Sequence, residues 1–275
     1  MNNFISVNQL KENLKDVVIL DVRFDLHDPE YGQQKYNEEH IEGSFFIDLD
    51  RDLAGEKKEH GGTRPLPKIN KFIEKIERLG ITKDSSIVVY DEEIVTAARA
   101  FWMFKYMGHE DVKILDGGYP AWIKENGIVT NEETPLPKNS KYDFEILKDI
   151  YADIVEVKDA IVDKDISIVE CRSFERYLGQ NEPFYSKPGH IPTAISIDSK
   201  SLLKDRKVKS SEELNDIFKR LDSSKNIIFS CGSGVNASLD YAVYSEFFSN
   251  GKVYIGSYSD WTSYPENPIE TKDEN

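Results

Sequence analysis

The sequence predicts an α/β protein built from two similar domains, each a mostly parallel β-sheet flanked by helices. Short apolar, β-branched segments alternate with helical segments, the same order of segments occurs twice, and a polar, proline-bearing stretch separates the copies. At 275 residues and 39% hydrophobic composition, the chain can form two cores. We therefore expect domains at 1–129 and 146–275, joined by a linker at 130–145.

The individual elements follow from hydrophobic periodicity. In the first copy, strands are predicted at 17–22, 41–47, 86–90 and 113–115, and helices at 67–79 and 94–107. In the second copy, strands are predicted at 166–169, 226–230 and 253–255, and helices at 211–221 and 235–248. Asp91 precedes Gly117 by 26 residues, and Cys231 precedes Gly256 by 25. Order and spacing together indicate a duplicated unit of about 120 residues.

The strongest chemical signal is the stretch in which a strand ends at Ser230 and Cys231-Gly232-Ser233-Gly234 leads into a helix. A cysteine at the carboxyl end of a strand, beside a helix N-terminus, is biased toward the thiolate that acts as a nucleophile. The two glycines let backbone N–H groups turn toward the sulfur as an anion-binding nest. The alternative is a buried structural cysteine, which seldom precedes such a loop.

The first copy has a different loop at the same position. Its strand runs into Asp91-Glu92-Glu93, which offers three carboxylates and no glycine. Carboxylates repel an anion, so only the second copy is expected to be catalytic.

Composition narrows the functional class. A formal charge of −15 disfavours nucleic acids and anionic membranes as partners. Two cysteines without metal-ligand spacing indicate neither a disulfide framework nor a metal site. The N-terminus has no signal-peptide pattern, and no apolar run is long enough to cross a membrane. We therefore expect a cytoplasmic protein.

Together these residues resemble the two-domain rhodanese family of sulfurtransferases over nearly the whole chain. Besides the loop from Cys231 to Val235, the marks are Asp21-Val22-Arg23, Asp116-Gly117-Gly118 with Trp122, Gly189-His190-Ile191-Pro192, and Gly256-Ser257 with Trp261. The resemblance implies tandem rhodanese-like domains, the first one inactive, and no cofactor. It also implies a ping-pong reaction in which Cys231 takes sulfur from a small anionic donor as a persulfide. The acceptor would be a thiol or cyanide.

Within the family, the Cys-Gly-Ser-Gly loop is similar to the 3-mercaptopyruvate type, in which Ser233 would bond the carbonyl of the donor. Arg176 matches the substrate-binding arginine of the family, whose fork would pair with the donor's carboxylate or sulfonate. The alternative is a surface arginine paired with Glu175 or Glu182. The persulfide and donor would also be held by backbone groups of Gly232, Gly234, Val235 and Asn236. The alternatives are a thiosulfate:cyanide sulfurtransferase and a non-catalytic rhodanese-like module for sulfur binding or redox sensing.

The sequence departs from the mercaptopyruvate pattern in the residues that would complete the site. Tyr185 stands where a second arginine is usual, with Lys187 nearby as its candidate substitute. Asp50 matches an aspartate that the family brings from the first domain. Arg64 takes the place of the accompanying histidine, with His60 four residues earlier as the alternative. The resemblance thus implies a site in a cleft between the domains.

Three further residues bear on alternatives. Arg172 recurs as Arg23 in the inactive copy, so both are expected to form structural ion pairs. Cys171 would resolve a persulfide or form a disulfide if it approached Cys231, and the sequence leaves that distance open. A cysteine phosphatase has a similar loop, but its chemistry requires an arginine six residues after the cysteine. Here that residue is Ala237, which disfavours a phosphatase.

Overall fold

The chain folds into two units, and the computed structural model describes residues 1–272. Unit 1 comprises residues 1–55, 66–147 and 205–207, and unit 2 comprises residues 56–65, 148–204 and those from 208 onward. The last three residues of the predicted second domain, 273–275, lie outside the described residues. Residues 56–65, which we call the arm, pack with unit 2 although unit 1 flanks them in sequence.

Unit 1 contains a five-stranded parallel sheet. The strands of the whole unit are β1 (Phe4–Ile5), β2 (Val18–Asp21), β3 (His40–Ile41), β4 (Ser44–Phe46), β5 (Ile87–Tyr90), β6 (Val112–Leu115) and β7 (Val129–Thr130). Its helices are α1 (Val7–Glu12), α2 (Tyr31–Glu38), α3 (Ile69–Arg78), α4 (Val95–Tyr106) and α5 (Gly118–Lys124). The sheet order is β1-β6-β5-β2-β4, and β3 pairs antiparallel with β7. All four residues of the central strand β5 are buried, which explains its continuous apolar sequence.

The second half of the chain repeats this arrangement. Its strands are β8 (Tyr151–Ala152), β9 (Ile166–Glu170), β10 (Ile195–Ser196), β11 (Leu203–Lys204), β12 (Lys207–Val208), β13 (Asn226–Ser230) and β14 (Gly251–Tyr254). Its helices are α6 (Ile154–Ala160), α7 (Phe174–Tyr177), α8 (Ser211–Phe218), α9 (Val235–Tyr244) and α10 (Ser257–Trp261). The parallel sheet has the order β10-β9-β13-β14-β8, the counterpart of β4-β2-β5-β6-β1. The predicted α/β fold class and the duplication are confirmed.

The sequence prediction is wrong at several element ends, and it omits the shorter elements, including the helices α1, α2, α5, α6, α7 and α10. The strand predicted at 41–47 is wrong, because a turn at Gly43, with φ of 80°, separates β3 from β4. The helix predicted at 235–248 ends as an α-helix at Tyr244. The edge strands β1 and β8 were missed because two residues are too few to show a periodicity. Within residues 1–272, no helix has the length and apolar character needed to span a bilayer.

Candidate active site

Cys231 follows β13, the central strand of its sheet, and is 2% exposed. The loop turns back over the thiol because Gly234 adopts a left-handed φ of 77°, which favours glycine. The Gly234 N–H therefore points at Cys231 Sγ, with an N···S distance of 3.1 Å. Helix α9 begins at the next residue, so the positive end of its dipole is close to the sulfur. This arrangement can stabilise a negative charge on the sulfur.

The carbonyl oxygens of the loop are bonded by other parts of unit 2. Gly232 O accepts hydrogen bonds from the Tyr185 hydroxyl at 2.9 Å and from the Ser259 N–H at 3.0 Å. Cys231 O accepts the N–H of Tyr258 at 2.9 Å. These hydrogen bonds fix the loop carbonyl groups in the conformation in which the Gly234 N–H points at the sulfur.

Arg176 lies beside the loop and shares its charge with Glu182. Its Nε and Nη2 donate to the two Glu182 oxygens at 3.1 and 3.0 Å. Glu182 also accepts from Arg172 Nη1 at 2.7 Å, and Arg172 pairs with Glu170 at 2.7 Å. Arg176 Nη2 is also close to Gly232, since it lies 3.7 Å from the position that a Cβ atom on this glycine would occupy. The predicted arginine thus belongs to a cluster of two arginines and two glutamates whose formal charges cancel.

Of the remaining predicted site residues in unit 2, three lie in the loop or at the start of α9, and Lys187 is bound elsewhere. Ser233 is half-buried in the loop, and its hydroxyl has no hydrogen-bond partner among residues 1–272. Val235 is buried and Asn236 half-buried at the start of α9. Lys187 Nζ instead donates to the carbonyl oxygens of Tyr264 and Pro265 at 3.2 and 3.1 Å. Its ammonium is therefore already bound by the C-terminal segment.

Asp50 belongs to unit 1. It is exposed, and its N–H donates to Asp48 Oδ1 at 2.8 Å in a turn after β4. Its part in the site stays a prediction.

The arm, which carries both Arg64 and His60, packs against α10. The Thr63 N–H donates to Ser259 Oγ at 2.9 Å, and the Ser259 N–H donates to Gly232 O. Ser259 thus links the loop to Thr63, the residue that precedes Arg64. His60 stacks on the ring of Tyr264 with centroids 4.0 Å apart, beyond the C-terminal end of α10.

The structural predictions for the arginines are confirmed, and Cys171 is a buried neighbour of the site. Arg23 pairs with Asp21 at 2.6 Å, as Arg172 does with Glu170. The Cys171 N–H donates to Ser230 O at 2.7 Å, which continues the parallel pairing of β9 with β13. Burial raises the pKa of the Cys171 thiol well above its ordinary value, so this thiol is protonated at neutral pH.

The first copy keeps the backbone of the catalytic loop but fills it with its own carboxylate. Ile94, the counterpart of Gly234, has a φ of 58° at the start of α4. Asp91, the counterpart of Cys231, accepts the N–H groups of Thr96 and Ala97 at 2.7 and 3.3 Å. Burial raises the pKa of Asp91 to about 6. The nest of the first copy is therefore occupied, which supports the prediction that this copy is inactive.

Asp91→Asn is expected to remove a pH dependence of stability. The folded pKa of about 6 exceeds the ordinary 3.8, so the folded state binds more protons between these values. The free energy of unfolding contributed by Asp91 is thus lost as pH rises from about 4 to about 6, by roughly 3 kcal/mol. Urea unfolding of the wild type and of Asp91→Asn at pH 4 and 7 measures this change in the free energy of unfolding. An identical pH dependence in the variant would contradict this assignment.

Within residues 1–272, no cluster of histidine, cysteine, aspartate and glutamate side chains is arranged to hold a metal ion. The groups near Cys231 that suit chemistry include its thiol, the Gly234 N–H, the Ser233 hydroxyl and the Arg176 guanidinium. This set suits a reaction in which a thiolate attacks an anionic substrate.

Comparisons with known proteins identify the family of this chain. A family model for the rhodanese-like domain matches residues 6–125 and 153–264. The 3-mercaptopyruvate sulfurtransferase of Mus musculus is 32% identical over 83% of this chain and 79% of that protein. The thiosulfate sulfurtransferase of Gallus gallus is 31% identical over 83% of this chain and 80% of that protein.

A solved structure shows the same fold. The crystal structure of the 3-mercaptopyruvate sulfotransferase SseA from Escherichia coli is similar, with a TM-score of 0.83 and 26% identity. The similarity covers 94% of this chain and all of that one. Since each segment matched by the family model holds one copy of the repeat, the chain belongs to the two-domain rhodanese family of sulfurtransferases.

Proposed function

We propose that the protein transfers sulfur from 3-mercaptopyruvate to a thiol or to cyanide through a persulfide on Cys231. The observation that carries this proposal is the Cys231 thiol under the Gly234 N–H, beside an uncharged Ser233 and the partly exposed guanidinium of Arg176. The N–H of Gly234, 3.1 Å from Sγ, supports both the thiolate and the persulfide anion that replaces it.

In the first half-reaction, the Cys231 thiolate attacks the sulfur of 3-mercaptopyruvate and the carbon–sulfur bond breaks. The electron pair of that bond leaves as the enolate of pyruvate, which takes up the proton lost by the donor's thiol. The Ser233 hydroxyl, half-buried in the loop, would donate to the carbonyl oxygen on which this negative charge develops. Cys231 is left as a persulfide anion.

The charge of the site favours a keto acid over thiosulfate. Arg176 is bonded to Glu182 through both Nε and Nη2, so part of its positive charge is already compensated. The loop itself contains no cation between Cys231 and Val235. A donor with one negative charge and a carbonyl group matches this site better than a dianion, which Glu182 also repels.

Two secondary assignments follow from the same geometry. We include Arg64 as a second donor contact in preference to His60, because the arm anchors its neighbour Thr63 to Ser259. We leave Lys187 out, because carbonyl groups of the C-terminal segment already bind its ammonium. The cytoplasm remains the proposed compartment, since the reaction needs Cys231 as a free thiol.

Steady-state sulfur transfer to cyanide from each donor tests the proposal. We expect kcat/KM to be higher for 3-mercaptopyruvate than for thiosulfate by at least about tenfold, because the loop from Cys231 to Val235 offers no cation to the second charge of thiosulfate. The measurement uses matched donor concentrations at low ionic strength, where charge effects are least screened. A preference for thiosulfate would support the alternative sulfurtransferase, and no turnover with either donor would support a binding module.

A further inference from the structure

Ser257 lies against Cys231 in a backbone conformation that serine rarely adopts. It is fully buried at the start of α10, with a φ of 53°. Its Oγ accepts the Cys231 N–H at 3.1 Å and donates to Tyr254 O at 2.7 Å. The same Oγ is 3.9 Å from Cys231 Sγ. A left-handed φ is unfavourable for any residue with a Cβ, and such strain is concentrated at functional sites.

The inactive copy has a glycine at the corresponding position. Gly118 starts α5 with a φ of 59°. In both copies, the tyrosine that follows donates its N–H to the carbonyl of the first loop residue, Asp91 or Cys231, at 2.7 and 2.9 Å. The chain therefore has a strained serine only in the copy in which a thiol lies beside it.

We propose that the Ser257 hydroxyl is a catalytic hydrogen-bond donor to the leaving sulfur in the second half-reaction; this rests on the proposed persulfide route. The acceptor thiolate attacks the outer sulfur, and a new bond forms between those two atoms. The bond between the outer sulfur and Cys231 Sγ breaks, and its electron pair remains on Sγ as a thiolate. No proton, oxidant or further reactant is needed for this exchange.

The geometry allows the hydroxyl to serve this step. Ser257 has one hydroxyl proton and two acceptors in reach, Tyr254 O and Cys231 Sγ. As negative charge accumulates on Sγ, the sulfur becomes the stronger acceptor, and rotation about the Cβ–Oγ bond redirects the proton to it. The Cys231 N–H still donates to the same oxygen, which keeps Ser257 in place.

The first half-reaction should benefit little from this hydrogen bond. There the Cys231 thiolate loses charge as it attacks the donor, so a bond to Sγ is weaker in the transition state than before it. Only interactions that strengthen in the transition state accelerate a step. Ser257 should therefore affect sulfur release from Cys231 and not sulfur loading.

Ser257→Ala and Ser257→Gly test this inference because both remove the hydroxyl but differ in strain. We expect transfer from the persulfide to a thiol to slow by about 10- to 100-fold in both variants, the usual effect of losing a hydrogen bond to a charged group. Loading by 3-mercaptopyruvate should change little. The glycine variant should unfold about 2–4 °C above the alanine variant, because glycine tolerates the left-handed φ.

Each half-reaction is measured separately in single turnovers. The protein is loaded with donor, freed of excess donor and mixed with a thiol, and intact mass follows the gain and loss of one sulfur. Ser238→Ala is the matched control, because Ser238 is buried and donates to Gly234 O at 2.7 Å in the same loop without contacting sulfur in the structure. Its substitution should affect the two half-reactions to the same extent.

Two results would overturn the inference: transfer by Ser257→Gly at the wild-type rate, or equal slowing of both half-reactions in the Ser257 variants. Either would show that Ser257 acts through the fold alone. Failure of the wild-type protein to gain sulfur is a separate outcome that overturns the persulfide route itself, and with it this role. The intact mass of the wild-type protein after incubation with donor shows this outcome before any variant is compared.

Discussion

Sulfur transfer is expected to be abolished by Cys231→Ser, with kcat/KM reduced by at least about 10⁴-fold. Serine is close in size to cysteine, so the buried position after β13 should still fold. Its hydroxyl is a poor nucleophile toward sulfur and cannot form a persulfide. Steady-state rates measure the loss, and intact mass after incubation with 3-mercaptopyruvate should show no added sulfur.

Cys171→Ser is the matched control for this experiment. Cys171 is the other cysteine of the chain and the neighbour of Cys231 on the adjacent strand. Because burial keeps its thiol protonated, we expect the variant to gain one sulfur as the wild type does. If Cys231→Ser gained sulfur and Cys171→Ser did not, Cys171 and not Cys231 would be the nucleophile.

Replacement of Arg176 by glutamine is expected to weaken donor binding by about 2–3 kcal/mol, which corresponds to an increase in KM of about 30- to 150-fold. Glutamine can still donate to Glu182, so the α7 region should keep its fold. It no longer offers a cation to the donor's carboxylate. The measurement is kcat and KM for 3-mercaptopyruvate, and the change should fall mainly on KM.

Glu182→Gln provides the opposite change in the same cluster. It removes the carboxylate that compensates Arg176 and leaves the cluster with one net positive charge. We expect KM for anionic donors to fall, and to fall more for thiosulfate than for 3-mercaptopyruvate. Thermal unfolding confirms that the variant is folded. An unchanged KM in both charge variants would show that this cluster does not bind the donor.

Local sequence was sufficient for the fold class and for the centre of the site. A strand that ends in a cysteine, two glycines and a helix start specify the loop conformation through short-range chemistry, and the structure has Gly234 in the left-handed region as expected. The duplication was readable because order and spacing repeat along one chain. The recurrence of Arg172 as Arg23 in the copy without a thiol predicts a structural ion pair, and the structure shows that its partner is Glu170.

Tertiary structure alone decided which distant groups meet the loop. Ser257 contacts Cys231 because α10 begins after the strand next to β13, and Tyr185 reaches Gly232 O from a segment 47 residues away. The arm, which carries Arg64, packs with unit 2 for the same reason, whereas the pair of Arg176 with Glu182, six residues away, was one of the two partners that the sequence offered. Hydrophobic period and turn chemistry act over a few residues, whereas these contacts depend on how parallel strands and their connections pack. The sequence by itself therefore determined the fold class, the duplication and the conformation of the loop around the proposed nucleophile, and packing determined which side chains surround it.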